Sequence, residues 1–162
     1  MEVFMKTLYI DTHSEQVELV LFQDGTYFRR TSENVANHHS SVIMPLLQKL
    51  LNDLSIRVTD LTDIIIVNGP GSFTGVRLGV TIAKTLSYTL NIPIRVMSSI
   101  LIKAISNEEK GNNWFVEKEK NGFYVGEFNE LDELLNDYFY VKKADYETFC
   151  LNRKIIEDVP LD

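Results

Sequence analysis

The first residues in this sequence that could do chemistry are Asp11 and the hydroxyl-bearing residue that follows it, Thr12. Asp11 ends a short apolar run, which places its carboxylate at the end of a predicted strand. A carboxylate in that position could face a metal-bound phosphate. A phosphate-binding turn normally carries glycines that let the backbone wrap the oxygens, and residues 12–14 contain none. Two interpretations stay open: a vestigial nucleotide site at Asp11 and Thr12, or a plain structural turn.

A second candidate is the glycine-rich segment 68–79, NGPGSFTGVRLG, which follows an apolar run at 64–67 and leads into a predicted helix, 76–90. This order directs backbone N–H groups toward a helix N-terminus, where anions can bind. The segment departs from the phosphate-loop pattern because Val76 stands where a lysine is required, and it misses the GxGxxG pattern at Thr74. The remaining interpretations are a turn without a ligand and a surface for contact with another element.

The helix that follows the glycine turn favours the contact surface. Small residues recur every four positions along it, at Gly75, Gly79, Ala83 and Ser87. This spacing places them on one face, which would let a second helix or sheet approach closely. Larger apolar residues suited to the protein's own sheet occupy another face, at Leu78, Ile82, Leu86 and Leu90. We therefore favour a contact surface over a phosphate-binding turn, and predict that the small residues meet a partner.

Other reactive residue types give weaker signals. His38 and His39 are adjacent, so their side chains point in different directions, and a role at a helix start is favoured over metal binding. Ser72 lies in the sequence P-G-S-F-T, which does not match the G-x-S-x-G turn of hydrolases. The single cysteine, Cys150, rules out an intramolecular disulfide and suits a reducing compartment.

Composition limits the classes of function. The chain has 162 residues, of which 44% are hydrophobic, enough to build a core. A net charge of −7 argues against this chain alone gripping nucleic acid, because phosphate binding needs clustered lysine and arginine. No apolar run approaches the roughly 18 residues of a membrane span. We expect a cytoplasmic protein.

The elements that must position these residues follow the order β-β-β-α-β-α-β-α. Three antiparallel strands come first, and later strands, joined through helices, must lie parallel to their neighbours. The expected product is a mixed five-stranded sheet covered by helices, an RNase H-like or actin-like domain over 1–106. Its predicted elements are strands 6–11, 16–23, 26–32, 61–67 and 94–97, and helices 38–54, 76–90 and one that Ser98 caps, with a hairpin turn at Asp24-Gly25.

Residues 107–162 form a smaller predicted α/β subdomain. A polar loop, 107–113, precedes two strands at 114–116 and 122–128 that flank the charged turn EKEKNG. A short helix, 130–138, and a strand, 139–141, are expected next, followed by a mixed tail. This subdomain is too small to match the first half of the chain.

The segment NGPGSFTGVRLGVTIAKTLSYTLNIPI, followed by MSS, resembles the signature of the bacterial TsaB (YeaZ) family. Similarity extends to Tyr9-Ile10-Asp11-Thr12, to His39-Ser40 and to Met44-Pro45-Leu46-Leu47, so that it spans about 5–106. Family members are partner subunits in making threonylcarbamoyladenosine in tRNA. The resemblance implies an actin-like (ASKHA, RNase H-like) fold, no catalytic residues, no metal and no cofactor in this chain.

The catalytic relative of that family, TsaD, carries two metal-binding histidines four residues apart, and the positions that align with them here are Ser99 and Lys103. Neither side chain replaces an imidazole ligand. The family uses two helices, matching His39–Leu54 and Thr74–Leu90, to form a homodimer or a heterodimer with TsaD. The TsaE ATPase is expected to dock on that pair, and tRNA to be contacted only indirectly. The implied interface residues are His39, Leu47, Gly71, Phe73, Thr74, Gly75, Arg77, Gly79, Ala83 and Ser87. Gly79→Leu is then expected to block dimerisation while leaving the fold intact.

The sequence departs from the family in its second domain, which is reduced. Members usually carry a DAR-type turn after the third helix, and here the corresponding segment reads Glu117-Lys118-Glu119-Lys120. Functions assigned to that domain are therefore not carried over. Two rival activities stay open: a nucleotide-binding phosphotransferase that uses Asp11, and a peptidase that acts on TsaD.

Overall fold

The computed structural model describes residues 4–23, 26–32 and 39–157. These fall into two compact units, Met1–Met97 and Ser98–Asp162. The elements of the first unit are strands β1 (Lys6–Asp11), β2 (Val17–Gln23) and β3 (Thr26–Ser32), helix α1 (His39–Asp53), strand β4 (Asp63–Val67), helix α2 (Phe73–Leu90) and strand β5 (Ile94–Met97).

The first unit contains a five-stranded sheet with strand order β3-β2-β1-β4-β5. Strands β1, β2 and β3 are antiparallel neighbours, whereas β1–β4 and β4–β5 pair in parallel. The sheet is therefore mixed, as predicted from the element order. Parallel pairing follows because a helix carries the chain back across the sheet before each of the last two strands.

One face of this sheet and helix α1 form the main core. Alternate residues of the central strands are fully buried, among them Leu8 and Ile10 of β1 and Ile64 of β4. Helix α1 inserts Ile43 and Leu50 into the same cluster, at the spacing of an amphipathic helix. The core thus fixes the end of β1 against the start of α2, where the candidate residues lie.

Most predicted elements of the first unit are confirmed within a residue or two. Strand β4 is shorter than predicted, because a 3₁₀ turn, Val58–Asp60, precedes it. Helix α2 begins at Phe73, earlier than Val76, since Ser72 is its N-cap. The predicted turn at Asp24-Gly25 and His38 lie outside the described residues.

The second unit contains a four-stranded sheet with strand order β8-β7-β6-β9. Strand β6 pairs antiparallel with β7 and parallel with β9, and β7 pairs antiparallel with β8. The elements of this unit are helix α3 (Ser99–Ser106), strands β6 (Asn113–Glu119), β7 (Gly122–Phe128) and β8 (Phe139–Lys142), helix α4 (Tyr146–Cys150) and strand β9 (Ile155–Ile156).

Helix α3 belongs to the second unit, although the sequence prediction assigned it to the first domain. Its Ile100 and Ala104 are fully buried and pack with Phe115 and Phe128 of the second sheet. Ser98 caps it as predicted, its Oγ accepting a hydrogen bond from the Leu101 N–H at 3.0 Å. The compact units therefore divide before α3 and not after it.

The predicted helix at 130–138 is wrong. Asn129 Oδ1 accepts hydrogen bonds from the N–H groups of Leu131 (2.9 Å) and Glu133 (3.0 Å), and Asp132 has a positive φ of 59°. These local bonds hold the segment in a turn, because an asparagine side chain competes with helical hydrogen bonding. Leu134 then forms an isolated bridge with Phe128. Helix α4 and strand β9 were not predicted.

No helix within the described ranges combines the length and the apolar character that crossing a membrane requires.

Candidate partner-binding surface

Helix α2 is the centre of the candidate site, and the glycine turn before it sets where it begins. Ser72 Oγ accepts a hydrogen bond from the Gly75 N–H at 3.3 Å, as an N-cap residue does. Gly69 and Gly71 have φ values of 94° and 152°, a region that favours glycine. Asn91 ends the helix in the left-handed conformation. The sequence therefore determines both ends of α2.

The small-residue face of α2 packs against the protein's own sheet, which corrects the prediction that it meets a partner. A Cβ atom at Gly75 would overlap the Thr12 carbonyl oxygen. A Cβ atom at Gly79 would overlap Thr12 Oγ1 and lie 3.2 Å from Ile66 Cδ1. Ala83 is fully buried. Small residues are needed here because the helix lies directly on the ends of β1 and β4, so Gly79→Leu is incompatible with this packing.

Two further residues of the predicted interface are also buried in the first unit. Leu47 belongs to the main core and is 3% exposed. His39 is 7% exposed, and its Nε2 lies 2.8 Å from the Ser14 carbonyl oxygen, so that the imidazole connects the start of α1 to the turn after β1. Both stabilise the fold and present little surface to a partner.

The carboxylate of Asp11 is enclosed by protein donors. Asp11 is 3% exposed. Its Oδ1 lies 2.6 Å from His13 Nδ1 and accepts the His13 N–H at 3.0 Å, and its Oδ2 accepts the Tyr9 hydroxyl at 3.1 Å. Across the described ranges, no group of three or more histidine, cysteine, aspartate or glutamate side chains could hold a metal ion. The geometry agrees with the structural interpretation of this turn.

The first turn of α2 is likewise occupied by the protein itself. The Ser72 N–H donates to the His13 carbonyl oxygen at 2.6 Å, and Thr12 Oγ1 donates to the Gly75 carbonyl oxygen at 2.7 Å. A Cβ atom at Gly71 would overlap the His13 carbonyl. The turn after β1 therefore fills the space that a phosphate group would need at this helix N-terminus.

What α2 presents to solvent is an aromatic and polar face. Phe73 is 69% exposed at the start of the helix, and the Arg77 guanidinium carbon lies 3.7 Å from the centre of its ring, a cation–π contact. Tyr88, near the other end, is 91% exposed. Thr74 is exposed beside Phe73. Exposed aromatic residues and arginine are typical of the central residues of interfaces.

Between these ends, hydroxyl groups of α2 are satisfied within the chain. Thr81 Oγ1 donates to the Arg77 carbonyl oxygen at 2.7 Å, and Thr85 Oγ1 donates to the Thr81 carbonyl oxygen at 2.8 Å. Ser87 is half-buried and donates to the Ile92 carbonyl oxygen at 2.6 Å. Burying this face in a contact would therefore leave these three hydroxyl donors satisfied.

An apolar groove of about 620 Å³ lies between α1, the segment 56–58 and α2. It is bordered by Met44 and Pro45 of α1, by Val58, and by Leu86 of α2. Met44 is 50% exposed. Sequence reasoning missed Met44 and Tyr88 as surface residues. The signal that could have found them is their position away from the buried stripes of α1 and α2.

Arg57, which borders the groove, forms an ion pair with Asp60. Arg57 Nη2 lies 2.7 Å from Asp60 Oδ1, and the Arg57 N–H donates to Asp60 Oδ2 at 3.1 Å. The hydrogen bonds from Arg57 hold the pKa of the Asp60 carboxyl below its usual value. The pair remains charged at neutral pH, so a charged side chain borders a groove whose other lining residues are mostly apolar.

Ser99 and Lys103, the two positions that the resemblance aligns with metal-binding histidines, belong to the second unit. Ser99 is buried at 1% exposure. Lys103 Nζ lies 2.8 Å from Glu117 Oε2 and donates to the carbonyl oxygens of Val116 (2.8 Å) and Glu157 (3.2 Å). An ammonium group with three acceptors stabilises the subdomain and offers no lone pair to a metal.

Comparisons with known proteins agree with one another. Residues 31–115 match the family model described as "TsaD: tRNA N6-adenosine threonylcarbamoyltransferase". The chain is 31% identical, over 96% of its length, to the tRNA threonylcarbamoyladenosine biosynthesis protein TsaB of Bacillus subtilis and covers 76% of that protein. It is 34% identical over 62% of its length to TsaB of Escherichia coli, of which it covers 43%.

Solved structures show the same fold. YeaZ from Pseudomonas aeruginosa superposes with a TM-score of 0.74 at 21% identity, over 85% of this chain and 69% of that one. A protein described as similar to peptidase YeaZ from Pseudomonas aeruginosa gives a TM-score of 0.79 at 17% identity, over 97% of this chain and 85% of that one. The predicted actin-like fold is therefore confirmed.

Proposed function

Because this chain belongs to the TsaB (YeaZ) family of tRNA threonylcarbamoyladenosine biosynthesis proteins, we propose that it acts as a non-catalytic subunit that binds the TsaD threonylcarbamoyltransferase. The TsaE ATPase joins that pair, and the chain forms a homodimer when it is alone. The reaction takes place on TsaD, in the cytoplasm. The chain covers less than half of the Escherichia coli relative, so each of these roles is proposed and not transferred.

The observation that carries the proposal is the exposed face of α2. Phe73 and Tyr88 expose most of their side chains at opposite ends of one helix, and the apolar groove with half-exposed Met44 lies beside that helix. An apolar groove beside exposed aromatic side chains is a feature that marks interaction sites on protein surfaces. Burying them against helices of a partner would supply the free energy of association.

Two observations support a non-catalytic role. The Asp11 carboxylate accepts hydrogen bonds from Tyr9 and from the backbone of His13, and it pairs with the His13 ring. Ser72, which the peptidase alternative would need as a nucleophile, uses its Oγ as the cap of α2. These side chains are engaged in holding the turn and the helix together, which favours a supporting subunit over either rival activity.

The proposal is tested by measuring the solution mass of the chain by light scattering, alone and mixed with TsaD from the same organism. A dimer that exchanges into a one-to-one pair with TsaD is expected. A monomer that stays a monomer in the presence of TsaD would refute the proposal.

The surface is tested with matched variants. Phe73→Ser removes a 69% exposed ring from α2, whereas Tyr27→Ser removes a 66% exposed ring from β3. We expect Phe73→Ser to weaken association at least about tenfold, in the range of an interface anchor, and Tyr27→Ser to leave it unchanged. Equal effects of the two variants would place the contact elsewhere.

A further inference from the structure

The second unit carries a tyrosine cluster that two glycines of β7 make possible. A Cβ atom at Gly122 would lie 2.6 Å from the Tyr140 hydroxyl oxygen, and a Cβ atom at Gly126 would lie 2.8 Å from the Tyr138 ring. Both tyrosine rings therefore lie across the glycine positions of the neighbouring strand. Glycine is needed at these two sites because a larger residue would displace the rings.

Tyr124 completes this cluster at the centre of the sheet. It is directly opposite Tyr140 in the β7–β8 ladder, with ring centres 5.1 Å apart in an edge-to-face arrangement. Tyr124, Tyr138 and Tyr140 are 38%, 36% and 42% exposed. Strand β8 is also the edge strand of its sheet. Two adjacent aromatic rings, each more than a third exposed, thus lie next to the edge of the sheet, where a planar ligand could contact them.

Lysines without ion pairs gather at the same end of the sheet. Within the described part of the second unit, the other cations are engaged: Lys103 with Glu117, Lys110 with Asp132, Lys154 with Glu109, and Arg153 over the Trp114 and Phe149 rings. The lysines for which the described residues provide no ion pair are Lys118, Lys120, Lys142 and Lys143.

Three of these lysines border the tyrosines. Lys142 is opposite Gly122, the residue on which the Tyr140 ring lies. The Lys143 N–H donates to the Asn121 carbonyl oxygen at 3.1 Å, which places it beside the β6–β7 turn that contains Lys120. The nearby carboxylates are Glu117, which is opposite Tyr124 and pairs with Lys103, and Glu119, Asp145 and Glu147. Lys120, Lys142 and Lys143 thus place three cations beside the tyrosines of a chain whose net charge is −7.

The remaining lysine lies elsewhere. Lys118 is opposite Phe123, which packs with α4 on the other face of the sheet. We therefore define the tyrosine–lysine surface as Tyr124, Tyr140, Lys120, Lys142 and Lys143.

We propose that the tyrosine–lysine surface binds a single-stranded segment of RNA. Aromatic rings that stack on bases, next to lysines that contact the backbone phosphates, are the combination with which proteins hold unpaired nucleotides. Charge complementarity favours a polyanion here, because the flanking lysines have no described carboxylate partner. The inference rests on the proposed function, in which the complex acts on tRNA. It assigns to this chain a direct contact with tRNA, whereas the sequence prediction gave that contact only to TsaD.

The test measures anisotropy of a fluorescein-labelled oligouridylate with the full chain at low salt. One triple variant, Lys120→Gln/Lys142→Gln/Lys143→Gln, removes the three lysines together. The control, Lys49→Gln/Lys110→Gln/Lys154→Gln, changes the net charge by the same amount at lysines that do not belong to the tyrosine–lysine surface, two of which are ion-paired. We expect the first triple variant to bind about tenfold more weakly and to lower the slope of log affinity against log salt by about 2, since each phosphate contact to a single strand contributes roughly 0.7. The control is expected to keep the affinity and the salt dependence of the wild type.

Tyr140→Ser and Tyr140→Phe test the stacking. A ring that stacks on a base makes Tyr140→Ser bind at least about fivefold more weakly, while Tyr140→Phe keeps its affinity. If both tyrosine variants bind as tightly as the wild type, Tyr140 does not stack on a base. The inference as a whole is overturned if the wild type does not bind the oligonucleotide, or if the two triple variants lose the same affinity.

Two further results are distinguishable from these. If the lysine variant changes the solution mass of the chain and not its RNA affinity, the surface binds the acidic segment 127–137 of a second copy, and the RNA proposal is wrong. Association with TsaD is measured without RNA, so a failure of RNA binding leaves the proposed function standing.

Discussion

The Thr12 hydroxyl donates a hydrogen bond to the Gly75 carbonyl oxygen at 2.7 Å, while the Thr12 carbonyl oxygen occupies the position that a Cβ atom on Gly75 would need. One residue at the end of β1 therefore both binds α2 and sets how closely the helix can approach. This contact explains why the most distinctive segment of the sequence is rich in glycine.

Gly75→Ala is expected to destabilise the protein. In an exposed helix interior this change stabilises by up to about 1 kcal/mol. Here the added methyl group meets backbone atoms of Thr12, which cannot rotate away, and overpacking of this kind costs about 1–3 kcal/mol. Denaturant unfolding followed by circular dichroism measures the difference. Thr74→Ala, one residue earlier and exposed, is the control and is expected to change the free energy of unfolding by less than about 0.5 kcal/mol. A Gly75→Ala variant as stable as wild type that fails to associate would restore the small-residue face as the interface.

Asp11→Ala tests the structural role of the buried carboxylate. The change removes the acceptor of the Tyr9 hydroxyl and of the His13 N–H, and we expect a loss of about 1–3 kcal/mol in unfolding free energy. Magnesium and ATP are expected not to shift the melting temperature of the wild type. A stabilisation by ATP that disappears in Asp11→Ala would instead support the phosphotransferase alternative.

The ion pair between Lys103 and Glu117 is largely buried, with side-chain exposures of 16% and 15%. Lys103→Met removes the ammonium group that contacts Glu117 and donates to the Val116 and Glu157 carbonyl oxygens, and we expect it to cost about 3 kcal/mol. Lys103→Met/Glu117→Leu removes both charges and is expected to recover at least half of that loss. Thermal and denaturant unfolding of the two variants gives the comparison. A double variant that is less stable than the single one would show that each partner has separate roles.

The Tyr146 hydroxyl is expected to make the stability of the protein depend on pH in alkaline solution. Burial, and then the 2.6 Å hydrogen bond to Glu157, raise the pKa of the Tyr146 hydroxyl well above its usual value near 10. The stabilisation is complete below pH of about 10 and is lost as pH rises above it, because the unfolded tyrosine then releases its proton first. Tyr146→Phe is expected to flatten the fall in stability above pH of about 10. Tyrosinate absorbance measured during a pH titration checks this, because the variant lacks the one tyrosine that should ionise later than the others.

Sequence reasoning located the first sheet well because its strands are short runs of buried apolar residues. Strands β1, β3 and β5 begin and end at the predicted residues. The helix at 130–138 failed because periodicity alone does not reveal that Asn129 closes the turn with its side chain. Helix α3 was assigned to the wrong unit, since the apolar face of a short helix does not indicate which sheet covers it.

The candidate site was predicted less well, and the reason is geometric. Spacing identified two faces of α2 but could not show which of them lies on the sheet. The larger residues Leu78 and Leu86 are only partly buried, whereas Gly79 and Ala83 are enclosed. Asp11 was correctly placed at the end of β1, but the sequence does not reveal that His13 folds back onto its carboxylate. That contact distinguishes a structural turn from a phosphate site.

Because α2 packs so closely on the end of β1, its glycine pattern in another protein is evidence of this packing and not of a partner. A protein that keeps Gly71, Gly75 and Gly79 has kept a joint between a strand and a helix, since each of these glycines lies against the turn after β1. The pattern is silent about what the outer side of the helix binds. Under the proposed function, the choice of partner would depend instead on the exposed residues Phe73, Arg77 and Tyr88.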